Sequence, residues 1–389
     1  MRMVSITIGL LHARTVVSAL DRVACQHPSE NPLEGCPENT ILVGQNQKHT
    51  TVQSAILSLP NDSSSHHILI QPGNYTEQVN VTRPGPVYLL GQTRAPNDQS
   101  KNVVSIIWRN ATGAALNSTL DNAYTSTLTV APTFNSSKTG SGPTGDLVPA
   151  GTPFGNVDFR AYNIDFINDF KNYATGPALA VSVSYANAGF YFSGFYSYQD
   201  TVYVGKLGNA YFYKNEIAGQ TDFLYGFGTA WIQSSLLTLR NCGGGITAWK
   251  GTNTTFVNKY GVYIHDSDVR KANASLAITG LCALGRPWNA LHRSIFANCN
   301  LDDSIKPSGY IAWGTTDPRF GANTTMAEYK SYGPGWNATA RAMSNVSIVM
   351  SDKQYEPYSS LDKVFQHPFD GKFGNTGWID RNVTADNGM

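Results

Sequence analysis

Along the middle of the chain, apolar and aromatic residues come in short runs broken by Gly, Asn and Pro. His67-Ile68-Leu69-Ile70 ends at Pro72-Gly73-Asn74, and Val87-Tyr88-Leu89-Leu90 ends at Gly91. Runs this short, rich in β-branched and aromatic residues and bounded by turn formers, predict strands. They recur to about residue 315. Their register shows in the centre. Ala210-Tyr211-Phe212-Tyr213 matches Ala230-Trp231-Ile232-Gln233 at an offset of 20, and Phe190-Tyr191-Phe192 precedes the former by 21. Strand-like content recurring at such nearly constant offsets predicts an all-β solenoid of parallel coils.

The flanks read differently. Residues 50–59 place Val52, Ala55, Ile56 and Leu59 at helical spacing, with Thr50 or Thr51 as N-cap and Pro60 as the stop. This helix is expected to plug one end of the sheet core. Residues 117–155 are rich in Gly, Ser, Thr and Pro and include Gly140-Ser141-Gly142-Pro143. They read as a long loop, first as a flexible insertion and second as a wall beside a cleft. Beyond Gly321 the pattern loosens, with a short helix predicted over 326–330 and a tail packed along the outside of the coils. The chain thus divides into a leader (1–19), an irregular arm (20–45) and a β-helix domain (46–389).

Composition narrows the function. Only 14% of residues are charged and the net charge is +1, which argues against a nucleic-acid partner. Twelve Asn-x-Ser/Thr sequons, at Asn61, Asn74, Asn80, Asn110, Asn117, Asn135, Asn253, Asn273, Asn323, Asn337, Asn345 and Asn382, favour a secretory route. The start of the chain fits that route. Arg2, the apolar stretch from Val4 to Leu11 and Val17-Ser18-Ala19 read as a signal peptide cleaved near Ala19, although His12 and Arg14 interrupt it. No later stretch reaches the length of a membrane span. Cys25 and Cys36 are close enough in sequence to staple the arm. Two of Cys242, Cys282 and Cys299 have the means to pair, and the sequence does not choose among them. No Cys/His spacing resembles a zinc site, so neither metal nor cofactor is expected.

Chemistry enters with Asp200 and Asp222, which stand at an offset of 22, each at the end of an aromatic, β-branched run. Neighbouring strands lie about 4.8 Å apart, so equivalent positions on successive coils become side-by-side partners. Two carboxylates that close do not both ionise easily, so one keeps a proton while the other stays free to attack. Arg286, downstream, would select the charged one. An acid, a nucleophile and an orienting cation are thereby available without serine, histidine or metal. Isolated acids such as Asp158, Asp165 and Asp169 read as turn formers or caps, and Glu77 as a structural hydrogen-bonder.

Four segments in order carry a more specific signal. They are Gly73-Asn74-Tyr75-Thr76-Glu77, Tyr198-Gln199-Asp200-Thr201-Val202-Tyr203, Asp222-Phe223-Leu224-Tyr225-Gly226 and Leu284-Gly285-Arg286-Pro287-Trp288. Together they resemble the pectin methylesterases, from about residue 50 to 312. The resemblance implies a right-handed parallel β-helix, secretion, and hydrolysis of methyl esters on polygalacturonate. It implies that Asp222 is the nucleophile, Asp200 the acid/base, Arg286 the residue holding the nucleophile and Gln199 an anion-hole amide. It further implies that Trp288, Tyr225 and Tyr203 line a sugar groove, with pectin (homogalacturonan) as the partner of a monomeric extracellular enzyme.

One position departs from that family. A second anion-hole glutamine is expected one coil before Gln199, and counting back by the offset that joins the two acids lands on Pro177, which has no N–H to donate. Gln220, two residues before Asp222 and at an offset of 21 from Gln199, is the candidate replacement. Two other readings stand beside the esterase. One is a β-helix polygalacturonase or lyase on the same polymer. It leaves Arg286 unexplained for the first, since paired carboxylates suffice there, and it lacks an acidic calcium cluster for the second. The other is an inactive pectin-binding homologue, supported by Pro177 alone. With no long pro-region, no built-in inhibitor domain is expected. The short arm and the sequons point to a fungal enzyme attacking plant tissue.

Overall fold

Each apolar run becomes a strand, and each strand pairs with its equivalents one coil away. The computed structural model describes residues 20–140 and 147–384, so the leader reading and the Ser141-Gly142-Pro143 part of the long loop fall outside the described residues. Within them the strands form three parallel sheets of eleven, eight and seven strands. One coil contributes one strand to each sheet, as with Asn187–Tyr191, Gly194–Tyr196 and Val202–Val204. The next coil repeats the set with Asn209–Tyr213, Glu216–Thr221 and Leu224–Gly226. This is a right-handed parallel β-helix. Parallel strands buried on both faces explain why the runs are nearly continuous in apolar residues rather than alternating.

The match at an offset of 20 holds position by position: Ala210 pairs with Ala230, Tyr211 with Trp231, Phe212 with Ile232 and Tyr213 with Gln233. The match at 21 slips by one. Phe190 pairs with Phe212 and Tyr191 with Tyr213, an offset of 22. A one-residue error would turn every side chain to the other face, and packing decides the point. The Phe190 and Phe212 rings stack inside the core at 4.9 Å.

That core runs the length of the tube, with Phe166, Phe190, Phe195, Phe212 and Trp249 fully enclosed. Each such side chain is worth ~1.5–3 kcal/mol of burial. The helix Val52–Leu57 plugs one end, capped by the Thr51 hydroxyl on the Ser54 amide. Glu77 completes the cap, accepting from the Val52 and Gln53 amides at 2.8 Å each. The arm is less irregular than expected. It holds a short helix, Arg22–Gln26, and the strand Ile41–Val43, which opens the eleven-stranded sheet, so the coils start before residue 46.

Three further expectations change. Residues 326–329 belong to a strand, Thr325–Tyr329, paired with Arg293–Ala297, and Lys330 turns out of it. So short a segment holds too little periodicity to separate strand from helix, and the open edge of the sheet supplied the partner. Residues 117–155 contain the strand Leu128–Val130 and a 3-10 turn over Asn122–Thr125, so this part is built wall, not loose insertion. Asp165 sits on a strand and accepts from Asn102 at 2.8 Å, while Asp158 and Asp169 pair with Arg160 and Arg109. None of the three is a simple turn former.

The outer face of the eleven-stranded sheet carries an aromatic ladder, including Tyr162, Tyr191, Tyr213 and Tyr263. The C-terminal segment covers it with Tyr355, Phe365, Trp378 and Ile379. Cys25 pairs with Cys36, and Cys242 with Cys282, leaving Cys299 free and buried. Among the described residues no helix is long and apolar enough to cross a membrane.

Candidate active site

Between the eight- and seven-stranded sheets the chain turns a corner once per coil, and in two successive coils the corner residue is an aspartate. Asp200 has φ +61° and Asp222 φ +48°, both in the left-handed region that Asp tolerates better than most side chains. Gln199 bridges in parallel to Thr221, which sets Asp200 directly beside Asp222. The same count, carried one coil further, reaches Gly244, also left-handed at φ +57°. A β-carbon on Gly244 would lie 2.5 Å from Asp222 Oδ1 and 2.8 Å from Arg286 Cζ. The missing side chain is thus what lets a guanidinium reach the carboxylate.

Arg286 follows the strand Ala283–Gly285 and occupies that space. Its Nη2 lies 2.6 Å from Asp222 Oδ2 and its Nε 3.0 Å from Oδ1, a forked charge-assisted pair. The Gly245 amide donates to the same Oδ1 at 3.0 Å. Asp222 therefore receives donors on both oxygens. Asp200 is treated in the opposite way. Burial first, and the Asp222 charge second, push its carboxyl well above the usual carboxylate range, with Arg286 and a hydrogen bond from Asn122 opposing. The two acids therefore sit in unequal surroundings, one carboxylate forked onto a guanidinium and the other buried beside that charge.

These groups lie at the floor of a cleft of about 490 Å³, lined also by Pro177, Gln199, Tyr225, Trp288 and Trp313. Arg286 Cζ stands 4.0 Å from the Trp313 ring centre, and Tyr225 lies 5.7 Å from Trp288. Trp288 and Trp313 are half-buried and present faces to the cleft. Tyr203 does not. It is 0% exposed beneath Tyr225, at 4.7 Å between ring centres, and supports that ring from below instead of meeting a ligand.

Gln220 is likewise not brought to the floor. Thr221, not Gln220, lies beside Gln199, and the Gln220 side-chain oxygen accepts from the Ala174 amide at 3.3 Å. Strand alternation does not carry Gln220 to the face of Asp222, because the left-handed turn at Asp222 ends it. Pro177 does line the cleft next to Gln199, so the position without a donor is real.

Several cleft residues escaped the sequence reading. Gly244 was within reach, since the count that joined Asp200 to Asp222 leads straight to it. Trp313 ends a short aromatic run one coil after Trp288. Asn122, Ser118 and Thr119 sit in the segment read as insertion, where no repeat guides the eye, yet they form one wall of the cleft.

Comparison with known proteins agrees with this fold. The pectinesterase family model matches residues 150–365. A probable pectinesterase A of Neosartorya fischeri is 28% identical over 359 residues, covering 87% of this chain and 98% of that protein. The pectin methylesterase structure from Aspergillus niger superposes with a TM-score of 0.68 at 26% identity, covering 89% of this chain and 98% of that one. A pectin methylesterase solved in complex with a hexasaccharide gives 0.62 at 25%, covering 86% and 98%. With a paired-aspartate corner on a parallel β-helix and a family model spanning more than half its length, the chain belongs to the pectinesterases, a family of carboxylic ester hydrolases.

Proposed function

We propose that the protein hydrolyses methyl esters of polygalacturonate, with Asp222 as nucleophile and Asp200 as acid/base. The observation that carries this reading is the asymmetry of the pair: one carboxylate forked onto a guanidinium, its neighbour buried beside it with, among the described residues, no cation of its own forked onto it. A carboxylate of Asp222 attacks the ester carbonyl carbon, and the oxyanion that forms meets the Gln199 amide. Asp200 gives its proton to the departing methoxy oxygen, so methanol leaves instead of methoxide. An anhydride-like acyl-enzyme remains. Asp200, now ionised, takes a proton from water, which attacks the acyl carbon and frees Asp222 and the galacturonate. Arg286 offsets the charge on Asp222 at both ends of the cycle.

Trp288 and Trp313 supply apolar faces for sugar rings, and the solved hexasaccharide complex of a relative supports an oligosaccharide in this trough. Ten of the twelve sequon asparagines are exposed, all except Asn80 and Asn110, which supports glycosylation and export. Methanol release from methylated pectin, with Asp222→Ala alongside, tests the proposal. Release by the wild type and none by the variant is expected. Shortening of the polymer without loss of methyl groups would replace the esterase with a depolymerase, and inactivity of the wild type would leave a binding protein.

A further inference from the structure

Asn122 is buried, belongs to the 3-10 turn Asn122–Thr125, and donates its side-chain amide to Asp200 Oδ2 at 3.2 Å. Its place is held from behind. Asp121, the cap of that turn, accepts from the Ala123 amide at 3.0 Å and from the Thr139 amide and hydroxyl at 3.1 Å. The turn is therefore tied to the wall on both sides before it touches the acid.

From this geometry we infer that Asn122 is a positioning residue that decides which oxygen of Asp200 carries the catalytic proton. In a neutral carboxyl the carbonyl oxygen is a far better acceptor than the hydroxyl oxygen, so an amide N–H fixed on one oxygen favours the proton on the other. With Oδ2 accepting from Asn122, the proton of neutral Asp200 resides on Oδ1, free to pass to the leaving methoxy oxygen. After transfer, the same N–H stabilises the carboxylate that must then accept a proton from water. Neither half-reaction needs the carboxyl to turn. The groups facing Asp200 are the Asp222 carboxylate, which disfavours its ionisation, the Arg286 guanidinium and the Asn122 amide, which favour it, and the neutral phenol of Tyr225 beside them. Pro177, on the neighbouring coil, offers no N–H to share the task. The inference rests on the esterase reading and adds a role that the paired acids and the arginine do not supply.

Asn122→Leu tests it, because leucine keeps the volume and the dryness while removing the donor. The wild type must first release methanol, and its failure to do so would sink the esterase reading itself. Given an active wild type, the expected result has three parts. The kcat falls about tenfold or more, the size of a hydrogen bond to a charged group. KM for methylated pectin stays within about twofold, since binding is not the lost function. The alkaline limb of the kcat/KM profile moves to higher pH, because the donor that favoured ionised Asp200 is gone. A limb that stays in place, or moves to lower pH as it would had Asn122 been accepting the Asp200 proton, overturns the inference. If the leucine variant fails to fold, Asn122→Ala is read by the same limb, upward in support and unmoved or downward against.

Discussion

At the residue scale the site depends on two neighbouring side chains of one chemical type being made unequal. Asp200 is 6% exposed and carries the raised pKa, with burial as the main cause. In the proposed acid role it would act below that elevated value and lose its proton as pH rises through it, so kcat/KM should fall on the alkaline side, measurable as initial methanol release across pH. The same shift costs stability. A buried carboxyl whose folded pKa exceeds the unfolded one contributes fully below the unfolded pKa, about 3.9, and loses that contribution as pH climbs toward the folded value. Asp200→Asn removes the titration. It should abolish turnover yet raise stability at pH 7, since the cost of ionising a buried carboxyl in the folded state is removed. Denaturant unfolding at pH 4 and pH 7 checks this, with the gain expected at pH 7 alone. Gly244→Ala makes the converse case. Its β-carbon would meet the Asp222 carboxylate and the Arg286 guanidinium, in a left-handed backbone position besides. Loss of kcat by roughly 10²-fold or more is expected, the scale of removing a precise charge contact, with little change in circular dichroism.

At the element scale the clamp depends on two successive coils staying in register. Cys242 is the penultimate residue of the strand Leu236–Gly243, two residues before Gly244, and Cys282 directly precedes the strand that leads into Arg286. The disulfide pins the coil bearing the Gly245 amide to the coil bearing the guanidinium. A cross-link spanning 40 residues is worth roughly 3–4 kcal/mol through the unfolded chain. Cys242→Ala with Cys282→Ala should therefore lower the unfolding midpoint, and should change kcat more than KM, because the Arg286–Asp222 pair loosens before the rest of the cleft does. Equal kcat in the oxidised protein and the double variant would separate the bridge from the site. The wall segment acts at the same scale. Its strand Leu128–Val130 joins the seven-stranded sheet, which makes residues 118–122 a fixed side of the cleft.

At the scale of the whole molecule the tube must be closed at both ends and covered along one face. The helix Val52–Leu57 closes the first end. Toward the other, Arg341 and Glu328 form a pair at 0% and 1% exposure, 2.6 Å apart, and Arg341 also donates to the Lys306 and Pro307 carbonyls. Removing one partner of such a pair strands the other charge in the dry interior. Arg341→Ala should destabilise by about 3–5 kcal/mol, and Arg341→Met with Glu328→Leu by much less, as thermal unfolding would show. The aromatic ladder under the C-terminal segment makes a related demand. Truncation before Asp352 would bare Tyr162, Tyr191 and Tyr263, a patch large enough to drive association, visible by light scattering.

The coil repeat, the helical plug and the pairing of Asp200 with Asp222 were legible in the sequence because each is a matter of spacing, and spacing survives translation into a periodic fold. The coil count reached the acids, and it would have reached Gly244. Arg286, Trp288 and Tyr225 were legible through a motif. Asn122 was not, because it comes from a segment outside the repeat. Nor was the exclusion of Tyr203 and Gln220, since a side chain's direction beyond a left-handed corner is set by φ and not by its place in the count. The pairing of Cys242 with Cys282, in place of Cys299, was decided by which coils stack on which. Periodicity along the chain thus determined who neighbours whom, while burial, corner geometry and charge determined which neighbour faces the guanidinium and which lies buried beside it.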